Sequence, residues 1–98
     1  MNKNFFKVAA FYTFTDLSNL EQLQQTFINF LKKEDIKGTV LLACEGINGT
    51  VAGTKAGIEN FKNFLKSNDL YNSHNFKTSS CADHPFPRLK VKLKNEIV

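Results

Sequence analysis

The sequence is poor in what metal sites, membrane spans and phosphate loops are made of. It has two cysteines, two histidines and a single arginine among 98 residues. Cys44 and Cys81 stand far apart, without a C-x-x-C partner or clustered histidines, which argues against a metal site. No metal and no cofactor is expected in this domain. Cys44 ends an apolar run and is expected to be a buried, inert thiol, whereas Cys81 follows polar residues and is expected to be more exposed. No apolar run approaches the ~18 residues of a membrane span, so no membrane contact is expected. The opening Met1-Asn2-Lys3-Asn4 leads straight into strand-like sequence rather than into a charged and then apolar leader, which makes the cytoplasm the expected location. Internal repeats and low-complexity tracts are absent.

What is present suits one small core. A chain of 98 residues is expected to form a single domain over residues 1–98, because domains cluster around ~100–150 residues. Ten phenylalanines and an apolar share of 42% supply the large side chains that such a core needs. The formal charge is +4, by itself a weak pointer to an anionic partner. Its distribution says more. From Lys77 onward, Lys77, Arg88, Lys90, Lys92 and Lys94 face only Asp83 and Glu96.

Residues 5–14 read as a strand with largely apolar alternating sets, as expected near the centre of a sheet. Ser18 with Glu21 three residues on is a capping-box pattern, opening a helix through Leu20, Leu23, Phe27, Phe30 and Leu31. Lys32 and Lys33 complement its dipole. Residues 37–53 then read as a hairpin: an apolar run from Thr39 to Cys44, a turn over residues 46–49, and an extended pattern resumed from Thr50. Thr54 is the expected N-cap of a second helix with Ile58, Phe61, Phe64 and Leu65 on one stripe, ended by Ser67-Asn68-Asp69. Leu70 and Tyr71 are expected to return to the core. A short extended piece around residues 76–80 leads into a loop stiffened by Pro85 and Pro87. After it, Arg88, Lys90, Lys92 and Lys94 alternate with Leu89, Val91 and Leu93 as on a strand.

The order strand, helix, strand, strand, helix, strand predicts an α+β fold of the ferredoxin-like βαββαβ type, an antiparallel sheet with two helices on one face. Right-handed crossovers would make the first and fourth strands neighbours and leave the other face open. The stretch GTVLLACEGINGTVAG, followed by Gly57-Ile58, Asp83 with Pro85-Phe86, Arg88, Lys90-Val91-Lys92, Lys94 and Glu96-Ile97-Val98, resembles the N-terminal domain of the rhodanese-containing tRNA uridine hydroxylases. Pro87 and Leu89 depart from that pattern, where a polar residue and a methionine are expected. The resemblance implies an acylphosphatase-like domain, the same architecture as the pattern. It also implies that a rhodanese domain with the catalytic cysteine follows residue 98, that neither Cys44 nor Cys81 is that cysteine, and that the whole protein hydroxylates the wobble uridine of tRNA.

Among the residues themselves, the cationic strand is the strongest candidate for function. Side chains on one strand face recur every ~6.6 Å, so Arg88 can grip a phosphate bidentately and Lys90, Lys92 and Lys94 can act as point charges. Lysines on an edge strand also guard against edge-to-edge aggregation, which needs no ligand. Phe5, Phe11 and Tyr12 are possible stacking platforms on an open sheet face, although core packing also accounts for them. Glu45, Gly46, Asn48 and Gly49 form the hairpin signature; geometry and turn stabilisation account for it, and no Lys-Ser/Thr and helix follow as a phosphate loop requires. Acylphosphatase chemistry needs an arginine-bearing phosphate cradle after the first strand, but Tyr12-Thr13-Phe14-Thr15-Asp16 stands there. The aspartate has the wrong sign. His74 and His84 are expected at the surface, without a catalytic partner. No catalytic residue is therefore expected in this chain; its expected partners are tRNA and the rhodanese domain. The alternative is a protein-interaction module that docks on the rhodanese domain without touching RNA.

Overall fold

The computed structural model of the chain describes residues 6–94. Its elements are β1 (Phe6–Phe14), α1 (Leu20–Lys33), β2 (Lys37–Ala43), β3 (Gly46–Thr54), α2 (Lys55–Ser67), a short 3-10 turn (Ser73–Asn75), β4 (Phe76–Cys81) and β5 (Leu89–Leu93). The strands form one sheet in the order β4-β1-β3-β2-β5. Through its first four strands the sheet is antiparallel, and β4 pairs with β1 as right-handed crossovers require. β5 extends the expected arrangement. It lies parallel to β2 on the opposite edge, so the five-stranded sheet is mixed. The piece around residues 76–80 is a full edge strand, and this makes the cationic segment a fifth strand.

Alternation sorts the sheet into two faces. Ala9, Phe11, Val40, Leu42, Ile47, Val51 and Val91 are buried on one face beneath Phe27 and Leu31 of α1 and Ile58, Phe61 and Leu65 of α2. Aromatic rings join the layers. Phe61 meets Phe11 edge-on with centroids 5.2 Å apart, and Phe30 of α1 stacks on Phe64 of α2 at 4.2 Å. Burying each such side chain contributes about 1.5–3 kcal/mol, and both helices are held to the sheet mainly in this way.

The helix ends divide between expectation and correction. Thr54 caps α2, its Oγ1 accepting from the Gly57 amide at 3.0 Å. Thr54→Val is accordingly expected to lose about 0.5–2 kcal/mol of stability, typical of a lost N-cap, readable in urea unfolding. At α1 the Ser18–Glu21 capping box does not form. Asn19 occupies the N-cap in the left-handed conformation with φ 53°, and no side chain caps the helix. The preceding segment is tied elsewhere: the Thr15 and Leu17 amides donate to the Glu45 and Cys44 carbonyls, both at 2.9 Å. Tertiary bonds, rather than a local cap, set the entry of this helix.

The hairpin turn is also displaced. Cys44 and Glu45 alone connect β2 to β3, while Gly46, Asn48 and Gly49 lie within β3. A Cβ at Gly46 would run into the Thr13 carbonyl, and one at Gly49 into the Thr39 carbonyl and the Phe11 ring; Gly46 also has φ +148°. Both glycines are therefore required by close strand approach, not by the turn. One consequence concerns Cys44. It sits in the turn and is exposed, contrary to the buried thiol expected, while Cys81 is half-buried with its Sγ donating to the Asp83 carbonyl at 2.8 Å. Iodoacetamide is expected to label Cys44 ahead of Cys81 in the native chain. Peptide mapping checks this, and faster labelling of Cys81 would contradict it.

Candidate nucleic-acid interface

The face of the sheet away from the helices carries the candidate site. Register aligns Lys77, Ala10, Thr50, Thr39 and Lys90 in one row across all five strands, and Tyr12, Asn48, Leu41 and Lys92 in the next. At ~4.8 Å per strand the first row spans about 19 Å from Lys77 to Lys90. None of the five strands contains an aspartate or glutamate. The carboxylates of the described residues lie in helices, turns and loops instead. Among the described residues, the strands of this face therefore contribute positive but no negative side chains.

The four cations singled out from the sequence are all exposed and come from one edge. Lys90 and Lys92 project from β5 on the open face, with Leu89, Val91 and Leu93 turned to the helix side as the alternation requires. Arg88 and Lys94 flank the strand. The Arg88 carbonyl accepts from the Gly38 amide at 3.0 Å, and the Lys94 amide donates to the Leu42 carbonyl at 2.8 Å, so both ends of the cationic segment are pinned to β2. A further anchor comes from α1, where Gln24 Nε2 donates to the Val91 carbonyl at 2.7 Å. The cations therefore stand on a fixed strand rather than on a loose tail.

Of the aromatic platforms, Tyr12 lies on the open face as required, 43% exposed. Phe11 does not. It is 5% exposed on the helix side, in contact with Phe61, because a strand's neighbouring residues face opposite ways. Phe5 lies outside the described residues. Sequence reasoning passed over Phe14, which is 66% exposed beside Tyr12, ring centroids 5.5 Å apart and edge to face. The same alternation that selects Tyr12 selects Phe14.

The hairpin signature is not a loop site. Glu45 is in the turn, Gly46 and Gly49 are strand residues, and Asn48 sits between Tyr12 and Leu41 on the open face. The histidines divide: His74 is exposed, but His84 is half-buried, its ring 5.1 Å from that of Phe6 and its Nδ1 accepting from the Phe86 amide at 3.4 Å. The expectation of a surface His84 missed this packing, because the loop carrying it connects the two opposite edges of the sheet. Among the described residues no group of three or more His, Cys, Asp or Glu side chains gathers as a metal ion would need. No helix in the described residues is long and apolar enough to cross a membrane. As for a phosphate cradle after β1, two of the amides there, those of Thr15 and Leu17, are already donated to the β2–β3 turn.

The family described as UPF0176 acylphosphatase like domain matches residues 6–97. The chain belongs to this family. It is also similar to proteins named tRNA uridine(34) hydroxylase from Bartonella quintana (strain Toulouse), 49% identical over 98 residues, and from Agrobacterium fabrum (strain C58 / ATCC 33970), 45% identical over 93 residues. All of this chain aligns with the first and 95% of it with the second, yet it spans only 32% and 30% of their lengths. Its fold is similar to that of BlrB, a BLUF protein, with a TM-score of 0.70 at 9% identity, over 94% of this chain and 75% of that one. It is also similar to part of full-length HypF, with a TM-score of 0.65 at 17% identity, over 99% of this chain and 13% of that one. At such identities these two likenesses concern the fold alone. In this chain Thr15, Asp16 and a loop bonded to the neighbouring turn stand where acylphosphatase chemistry needs an arginine-bearing cradle.

Proposed function

We propose that this chain is the tRNA-holding N-terminal domain of a tRNA uridine(34) hydroxylase, a soluble cytoplasmic protein in which a rhodanese domain carries the catalytic cysteine. Relatives of that name, of which the chain spans about a third, support the reading. The observation that carries it is the open sheet face, whose strands hold no aspartate or glutamate, edged by Lys90 and Lys92, with Arg88 and Lys94 at the strand ends. The domain's task is electrostatic and positional. Arg88 grips a phosphate through two parallel N–H donors, the three lysines neutralise neighbouring phosphates, and the rigid sheet fixes the orientation in which the wobble base reaches the catalytic domain.

Docking on the rhodanese domain without RNA contact is the competing reading, favoured by the apolar Tyr12, Phe14 and Leu41 on the same face. Such a surface would be an apolar patch ringed by polar groups; here the apolar centre is bordered by lysines on both edges of the sheet, which favours a polyanion. A filter-binding titration of the chain with tRNA at two salt concentrations tests the proposal. Affinity falling steeply with salt is expected, because each neutralised phosphate releases counterions. Affinity indifferent to salt, or no binding at the lower concentration, would refute it.

A further inference from the structure

Lysines account for affinity to any nucleic acid; the centre of the open face carries more than charge. Among the described residues Tyr12 and Phe14 are the two largest exposed apolar side chains, and they stand together at the tips of the same strand face. In their edge-to-face arrangement the rings form a corner, so a flat group lying on one ring meets the rim of the other. The corner opens into a hollow of about 610 Å³ lined by Tyr12, Phe14, Asn48, Thr50, His74 and Lys77. The Asn48 side chain, next to Tyr12 in the register, makes no hydrogen bond to the described residues and keeps both an acceptor and a donor for a ligand. Lys77 borders the hollow on the β4 edge, across the sheet from Lys90 and Lys92.

Resting on the RNA reading above, we infer that this hollow receives an unpaired base of single-stranded RNA. Tyr12 and Phe14 supply stacking surface, Asn48 hydrogen-bonds the base edge, and Lys77 holds the phosphate on the side opposite Lys90 and Lys92. Exposed rings on an open sheet gain most from a flat, polarisable ligand, and each stacked base contributes enough to matter. A side-chain amide is matched to a base edge, which presents both donors and acceptors. Finally, lysines on both sheet edges, with no carboxylate on the strands between, direct a polyanion across the rings rather than along one edge. Duplex RNA does not satisfy this site, because its bases are already stacked and paired.

The test uses the 98-residue chain, a fluorescein-labelled oligouridine and a labelled RNA duplex in anisotropy titrations. Tyr12→Ala/Phe14→Ala is expected to weaken oligouridine binding roughly tenfold or more, the loss typical of a removed stacking partner, with duplex binding and the salt slope unchanged. Tyr12→Phe alone should keep most of the affinity, since the ring remains. Both altered side chains are solvent-exposed, and an unchanged thermal melt confirms that the variants fold. Undiminished oligouridine affinity in the double variant would overturn the inference and assign the rings to a protein contact, while leaving the salt-dependent cation reading intact. Failure of the unaltered chain to bind either RNA would overturn both.

Discussion

Phe61→Ala is expected to destabilise the chain by about 3–5 kcal/mol, the range for emptying a phenylalanine site in a close-packed core. Phe61 is fully buried, with ring contacts to Phe11 of β1, Phe27 and Phe30 of α1, Phe64 on its own helix and Phe76 of β4. The side chains around it come from both helices and two strands, so they cannot close in without moving the layers apart or together. A domain of this size has about 5–15 kcal/mol in total. At roughly 4–8 °C per kcal/mol for 60–100 residues, the melting temperature should fall by more than about 12 °C in a calorimetric or circular-dichroism melt. Phe64→Ala serves as the control. Phe64 is only half-buried, although it stacks on Phe30, and should cost less. A Phe61 variant melting within a few degrees of the unaltered chain would mean that the core is not organised around this ring.

The second large effect concerns binding rather than folding. With Arg88, Lys90, Lys92 and Lys94 all replaced by glutamine, the salt slope of tRNA binding is expected to fall by roughly 3, at about 0.7–0.9 for each phosphate no longer neutralised. Four neutralised phosphates correspond to roughly 50- to 150-fold in affinity between 50 and 200 mM salt, so the variant should bind far more weakly at low salt and change little as salt is added. Because the four side chains are exposed, stability should shift by no more than about 0.5 kcal/mol each. The guard against edge pairing weakens as well, since lysine protects an exposed strand better than glutamine. Light scattering therefore belongs beside the titration. If tRNA affinity and salt slope survive all four replacements, the cationic strand is only an edge guard and the RNA contact lies elsewhere.

Both effects depend on where the chain's alternations point, and this was legible to different depths. The helix stripes, the Thr54 cap and the alternation of Leu89, Val91 and Leu93 against the cations are local patterns, and each is found where the sequence puts it. Two- and 3.6-residue periods survive folding because burial acts on every residue of an element in the same way. Phe11 shows the limit. Strand β1 is apolar on both faces, so periodicity could not say which face would meet the helices, and one residue's difference separates the buried Phe11 from the exposed Tyr12.

Long-range pairing decided the remainder. The Cys44–Glu45 turn, the glycines inside β3, the uncapped start of α1 and the placement of β5 parallel to β2 follow from strands and loops meeting across dozens of residues. Nothing in a short window reports such meetings. The amino-acid order by itself established the family pattern, the two helices, the apolar set that forms the core and the cluster of positive charge. Only the folded sheet decided that lysines from two distant segments, Lys77 and Lys90, lie in one row with exposed aromatic rings beside it, because strand register is a property of pairs of segments and not of either segment alone.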